Sequence, residues 1–370
     1  MNERCKICIS ATLTLHGNIG YNKSKKCAET GDKVGRMTQS SDFRRPATHT
    51  RSAFACLQMN LYFADYSTRL CIMSIIDIVN VHKKGLTSAV YDVHGNRIIT
   101  AGSDGKIKVY TSLDASPTEH VVGEKINAIA CRYEDVIVAT EGTYVHILQV
   151  EDGLPDGVAT RFTAEVNHLD MNKDLSKVVL CSSDFSVKVV DLTATDGNRE
   201  VVFKGHEGAV LSVAFDPLDI FVASASCDGT VRLWDLISGK EAKCITTLAK
   251  YNDPILASSY CRLCWESAVG KFLLVPVDKE IRMFERECWS LLCCLSCSSV
   301  TQAYNVCASS RNSSLISGGS LDGWIIIWRV EDRQAIHRLE MYSTSNLIFC
   351  FATKFDGDLL FLASAVLIYC

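Results

Sequence analysis

The chain has 370 residues, 48% of them hydrophobic and 22% charged, which is enough apolar material for one large core or for a core with a tail. Its formal net charge of −4 leaves no basic excess, and this argues against a domain that grips nucleic acid through its phosphates. The 18 cysteines are irregularly spaced, and Cys131, Cys181, Cys261, Cys264 and Cys350 sit inside apolar runs, where cysteine behaves as a small buried hydrophobe.

The first residues, MNERCKICISATLTLHG, lack the apolar core and cleavage site of a secretory signal, so the thiols are read as reduced and the compartment as intracellular. From Met1 to about Asn80 the chain carries Lys23, Lys25 and Lys26, scattered Ser and Thr, and no strand repeat. Residues 1–80 are therefore expected to be a poorly ordered N-terminal extension. Two apolar runs, Cys71 to Val79 (broken by Asp77) and Leu359 to Cys370, fall short of the roughly 20 residues that a membrane-spanning helix needs.

Beyond this point one unit recurs, and repeats of this length signal blades or solenoids. Ala89 to Tyr110 reads strand, turn, strand, turn, strand, with Ser103-Asp104-Gly105 at the second turn. Ile126 to Val150 is a degenerate copy, and Val166 to Leu192 keeps Ser183-Asp184. The clearest copy, Gly205 to Leu236, has three period-2 runs (VLSVAF, IFVASAS and TVRLWDL) separated by Asp216-Pro217 and Asp228-Gly229. Cys261 to Arg286 keeps the strands and Asp278, Tyr304 to Val330 restores Asp322-Gly323 and ends near Trp328, and Leu347 to Cys370 is an incomplete last copy. The turn aspartates, Asp104, Asp184, Asp228 and Asp322 among them, recur at the spacing of a four-stranded blade. A lone blade cannot bury both faces, so neighbours must stack about an axis. The expectation is an all-β, seven-bladed WD40 β-propeller over 81–370, with its last blade incomplete.

His206, Ser224 or Ser226, Asp228 and Trp234 form the set that, in WD-type blades, links indole, hydroxyl, imidazole and carboxylate in one chain. The same residue types could suggest a hydrolase, but the serine lies inside a strand and no G-x-S-x-G elbow holds it. The set is read as structural, because a satisfied buried network rigidifies a blade. Cys5-x-x-Cys8 and Cys261-x-x-Cys264 have half the spacing of a zinc site, yet positions three apart on a strand face opposite ways, so no metal is expected. The cluster Cys293, Cys294 and Cys297 reads as a loop of small residues rather than a redox centre. No phosphate loop, HExxH or carboxylate pair stands out, so neither catalysis nor a cofactor or small-molecule substrate is expected. Partner contacts are expected at the rim where inner strands begin, with Thr87, Lys125, Asn127, Glu165, Asn167, Arg262 and Asn305 as candidates.

Several segments are more specific than a generic repeat. They are AGSDGKIKVY from Ala101, VGEKINA from Val122, GLPDGVATRFTAEVNH from Gly153, SSDFSVKVVD from Ser182, the full copy from Phe203 to Leu236, SYCRLCW through RECWS from Ser259 to Ser290, and GGSLDGWIIIW from Gly318. In these the chain resembles the N-terminal propeller of the WD-repeat and HMG-box DNA-binding protein family, the chromosome-transmission-fidelity type of adaptor. The resemblance implies a nuclear scaffold that tethers DNA polymerase alpha–primase to the replicative helicase and supports DNA repair and sister-chromatid cohesion, with chromatin as a further partner. The second propeller, helical bundle and HMG box of complete members have no counterpart here, and residues 1–80 have none in the family. An alternative is a generic scaffold such as a ubiquitin-ligase substrate receptor. The W-D-x-R signature of such receptors is absent, since Ile237 follows Trp234-Asp235-Leu236.

Overall fold

The computed structural model describes residues 82, 86–92, 97–111, 116–133, 136–150, 155–194, 200–247, 261–310 and 312–340, and the strands 9–12, 55–63, 71–79 and 360–365. Among these residues, six four-stranded antiparallel blades are each built from consecutive strands, spanning 86–121, 126–161, 166–203, 210–246, 264–295 and 304–340. The first strand of each blade lies beside the first strand of the next, which makes the all-β WD40 propeller arrangement.

The expected blade count of seven is corrected to six. Of the last copy, the described strand Leu360–Ala365 pairs with Ala55–Phe63 rather than with a following strand of the same copy. Ala55–Phe63 pairs in turn with Cys71–Val79, and that strand with Ile9–Thr12, so this sheet mixes the two ends of the chain. A strand with an unpaired edge takes whatever partner the chain supplies. The rest of the expected extension over 1–80, including Cys5 and Cys8, lies outside the described residues.

The core does not lie on the axis. It is divided into five clusters of buried side chains, each shared by two neighbouring blades. Lys177–Ser182 illustrates why its sequence, KVVLCS, is a continuous apolar run. Val178 and Leu180 face the second blade, while Val179 and Cys181 face the fourth. Both faces of the strand are buried, so the alternation typical of a half-exposed strand disappears.

The turn glycines differ in how much they can tolerate. Gly105 holds φ +70°, and an added Cβ would collide with the backbone oxygens of Gly123 and Glu124. Gly142, at φ +54°, has nothing within 4 Å of that position. Gly105→Ala is therefore expected to lose well over about 1 kcal/mol of stability, with Gly142→Ala limited to about that amount by backbone strain alone. Urea midpoints of the two variants compare them directly.

Candidate functional site

Three of the turn aspartates, Asp184, Asp228 and Asp322, share one interaction that needs no particular neighbour. Asp184 accepts from the Thr163 N–H at 3.1 Å, Asp228 from the Glu207 N–H at 3.0 Å and Asp322 from the Thr301 N–H at 2.6 Å. In each case the donor lies 21 residues upstream, where the chain enters an inner strand. Thr163 and Thr301 add their hydroxyls to the same carboxylates. In the second blade Glu141 takes this place and accepts from the Glu124 N–H at 2.7 Å.

Upon this clasp the blades build different interiors. In the fourth, Asp228 bonds His206 Nδ1 at 2.9 Å, His206 Nε2 meets Ser224 Oγ at 2.7 Å, and the Trp234 indole N–H donates to the same Oγ at 2.9 Å. Ser224, not Ser226, occupies this chain; Ser226 donates to Gly208 O at 3.0 Å and holds the turn. Burial acts to raise the Asp228 carboxyl, but bonds from His206, Thr230 and the Glu207 N–H outweigh it and hold the carboxyl well below its usual range.

The first blade repeats the pattern with His82, Thr100 and Asp104: Nδ1 to Asp104 at 2.9 Å and Nε2 to Thr100 Oγ1 at 3.0 Å. Sequence reading passed over His82 and Thr100, although their spacing is that of His206, Ser224 and Asp228. Tyr110 stands where the fourth blade has Trp234, and that hid the copy. In the third blade the polar set is replaced as a whole: Phe162, Leu180 and Val190 occupy the places of His206, Ser224 and Trp234, all buried in one cluster. In the sixth, Gly318 takes the serine position and Trp328 packs over it. The first and fourth blades thus carry a mutually bonded polar set and the third an apolar one, consistent with the cost of a half-satisfied buried network.

Rim candidates chosen from the sequence lie at the starts of inner strands, and several tie one blade to the next. Thr87 donates to Ala101 O at 3.1 Å and also bonds Ile126 O at 2.5 Å. Asn127 donates to Val166 O and Asn167 to Val210 O, both at 2.8 Å. Asn305 is buried and its carbonyl accepts from the Arg262 N–H at 2.9 Å. Arg262 Nη1 reaches Asn167 O at 3.3 Å, past the fourth blade. Lys125 and Glu165 are about half exposed and pair at 3.2 Å, with Asn127 also donating to Glu165 at 2.8 Å.

Deeper along the seam between the third and fourth blades, His168 and Asp170 face Val210–Phe215. Asp170 accepts from the Phe215 N–H at 2.8 Å, and His168 Nδ1 lies 3.1 Å from Val213 O. Burial pushes the Asp170 carboxyl up to about 6, against the pull of its two backbone N–H donors. Burial and then the Arg262 charge hold the His168 imidazole well below its usual value. A carboxyl raised by folding contributes stability that is fully present below its unfolded value near about 4 and is lost as pH rises from there through the folded value. Asp170 is thus expected to titrate near pH 6 and Asp228 well below the usual carboxylate value; carbon-detected NMR of the two carboxyls measures both midpoints.

One exposed side chain on the same rim escaped the sequence reading. Asp104, Asp228 and Asp322 are each followed by a glycine at φ between +70° and +85°, whereas Asp184 is followed by Phe185 at φ +71°. Phe185 is 46% exposed, and two residues before it the Ser183 N–H bonds Glu165 O at 2.9 Å. The signal in the sequence was the break in the Asp-Gly pattern, SSDF where sister turns have Asp-Gly.

Cys261 and Cys264 do point apart: Cys261 joins the cluster shared with the fourth blade, and Cys264 packs on the one shared with the sixth. Among the described residues no group of three His, Cys, Asp or Glu side chains could hold a metal ion. No helix among them is long and apolar enough to cross a membrane.

Comparison with known proteins fits this geometry. A family model described as the WDHD1 first WD40 domain matches residues 80–363. WD repeat and HMG-box DNA-binding protein 1 of Mus musculus is 39% identical over 260 residues, covering 70% of this chain and 23% of that protein. The Homo sapiens protein of the same name is 38% identical and the Xenopus laevis one 36%, with the same coverage of each chain. Autophagy-related protein 16 of Arabidopsis thaliana is more distant, 23% identical over 74% of this chain and 52% of its own length. The chain spans 23% of the length of the three WD repeat and HMG-box DNA-binding proteins it matches. With six blades among its described residues, its aspartate clasps and a family match over most of its length, the chain belongs to the WDHD1 first WD40 domain family.

Proposed function

We propose that this propeller is a non-enzymatic scaffold of the nucleus that holds replication proteins through its rim, joining DNA polymerase alpha–primase to the replicative helicase on chromatin. The family match supports the setting, and the DNA-binding named for its relatives supports a place on chromatin. The observation that carries the rim reading is Phe185. A bulky residue held in the left-handed region costs about 1 kcal/mol, and such strain clusters where function needs the side chain. The sister turns avoid that cost with glycine, while this one exposes an aromatic side chain, on a turn whose Ser183 N–H bonds Glu165 O. Aromatic anchors with a polar surround are the usual centre of a protein interface.

Phe185→Gly separates fold from function. Stability is expected to hold or to rise by up to about 1 kcal/mol, because backbone strain is relieved. Recovery of polymerase alpha and helicase subunits with the tagged chain from nuclear extract is expected to fall at least roughly tenfold, about 1.4 kcal/mol in affinity. Equal recovery by the two forms would remove Phe185 from the interface. Recovery of ubiquitin-ligase subunits in place of replication proteins by the unmodified chain would replace the replication reading itself.

A further inference from the structure

The inner strands of the fifth and sixth blades meet in a parallel bridge, Arg262 opposite Val306, closed by Arg262 N–H to Asn305 O at 2.9 Å and Cys307 N–H to Arg262 O at 3.3 Å. Just beyond this bridge the two strands bring two thiols together. Cys264 Sγ lies 3.5 Å from Cys307 Sγ, although the residues are 43 apart in the chain. Both are reduced. Cys264 is half-buried and Cys307 buried. A disulfide needs its sulfurs about 2.05 Å apart, so side-chain rotation and a small strand adjustment close the gap.

We propose that Cys264 and Cys307 are an oxidation site, closed to an inter-blade disulfide by a peroxide. The more accessible Cys264 reacts first: its thiolate attacks one oxygen of hydrogen peroxide, the O–O bond breaks, and the leaving hydroxide takes up a proton as water. Cys264 is then a sulfenic acid. The Cys307 sulfur attacks the Cys264 sulfur, the S–O bond breaks, and the departing hydroxide leaves as a second water with the Cys307 proton. Two thiols lose two electrons and two protons, and one peroxide is reduced to two waters. The Cys307 sulfur lies 3.2 Å from Arg262 O and 3.6 Å from Leu274 O, so its S–H has carbonyl acceptors other than Cys264. Burial and the neighbouring Cys264 thiol push the Cys307 pKa well up, so Cys307 is not the first to react; it attacks the Cys264 sulfenic acid as its proton passes to the departing hydroxide. The other cysteines differ in placement: Cys261 faces the fourth blade, Cys293 and Cys297 lie in the same cluster as the pair with Cys293 directed to Met283 Sδ at 3.2 Å, and Cys288 and Cys294 are exposed.

The chain is treated with hydrogen peroxide, its remaining thiols are alkylated after unfolding, and linked peptides are mapped. A peptide joining Cys264 to Cys307 is expected, reversed by dithiothreitol, with a rise in Tm on the order of 5 °C for the oxidised form. The link and the rise vanish in Cys264→Ala and in Cys307→Ala. Mapping in the unmodified chain does not depend on either variant folding. Recovery of Cys264 and Cys307 as alkylated thiols while Cys288 and Cys294 are oxidised would overturn the proposal. So would Cys264 trapped as a sulfinic acid with Cys307 still free.

Discussion

Arg286→Met is expected to lower the stability of the propeller by about 3 kcal/mol, read as a shift in the urea unfolding midpoint. Asp216 lies at the end of an inner strand of the fourth blade, and its side chain is fully buried. The two guanidinium nitrogens of Arg286, from the fifth blade, grip its two oxygens, with Nη2 to Oδ2 at 2.6 Å. The Asp216 carboxylate also accepts the Leu218 and Ile220 N–H groups at 3.3 Å. The guanidinium lies over Phe221 at 5.5 Å and Trp265 at 5.7 Å, and Trp289 packs edge-on to the same two rings. Methionine keeps much of the packing and none of the charge, so the cost measures a buried carboxylate left without its cation. Arg286→Lys should rescue little, since an ammonium offers no planar fork for two oxygens. The double variant Asp216→Asn, Arg286→Met is expected to lose clearly less than the sum of the single losses; strict additivity would mean that the two residues do not act on each other.

Ser224→Ala is expected to cost a similar amount, again about 3 kcal/mol, because it strands two buried groups at once. The Trp234 indole N–H loses its acceptor and His206 Nε2 loses its partner. Ser226→Ala removes one hydroxyl bond to Gly208 O and should cost about 1 kcal/mol. Guanidinium unfolding of the two variants, side by side, gives the contrast; equal losses would mean that the serine inside the network is no more than a turn residue. Asp228 adds a pH signature. Folding holds its carboxyl low, so its contribution is complete above the unfolded value near 4 and is lost only as pH falls through the lower folded value.

The residues of these two experiments are legible in the amino-acid sequence to different degrees. His206, Ser224, Asp228 and Trp234 stand at repeat positions within one 32-residue stretch, so spacing alone suggests that they meet. Arg286 and Trp289 stand out only as departures from a generic repeat; the contact of Arg286 with Asp216 spans 70 residues, and local pattern carries no information about that pairing. The rim candidates do lie at strand starts, but a strand start does not say whether an amide faces solvent or the neighbouring blade. Asn127 and Asn167 turn to the next blade's carbonyl, because that carbonyl would otherwise be a buried acceptor without a donor. The blade count failed for a related reason. Periodicity counts turns, and Leu347 to Cys370 offers turns, but only Leu360–Ala365 of it is a described strand and its partner comes from the other end of the chain.

The reach of Arg262 to Asn167 O gives the third, fourth and fifth blades a mechanical property that bonds between adjacent blades cannot. Bonds between adjacent blades act like links in a hoop: they set the circumference, yet a hoop of links still flattens into an oval under sideways load. A strut that skips a link fixes the distance across an arc and so resists flattening. Arg262 is such a strut, running from the fifth blade to the third. Shortening it, as in Arg262→Ala, leaves every hoop link in place while freeing the fourth blade to bulge outward, so the ring loses stiffness on one side rather than its connectivity.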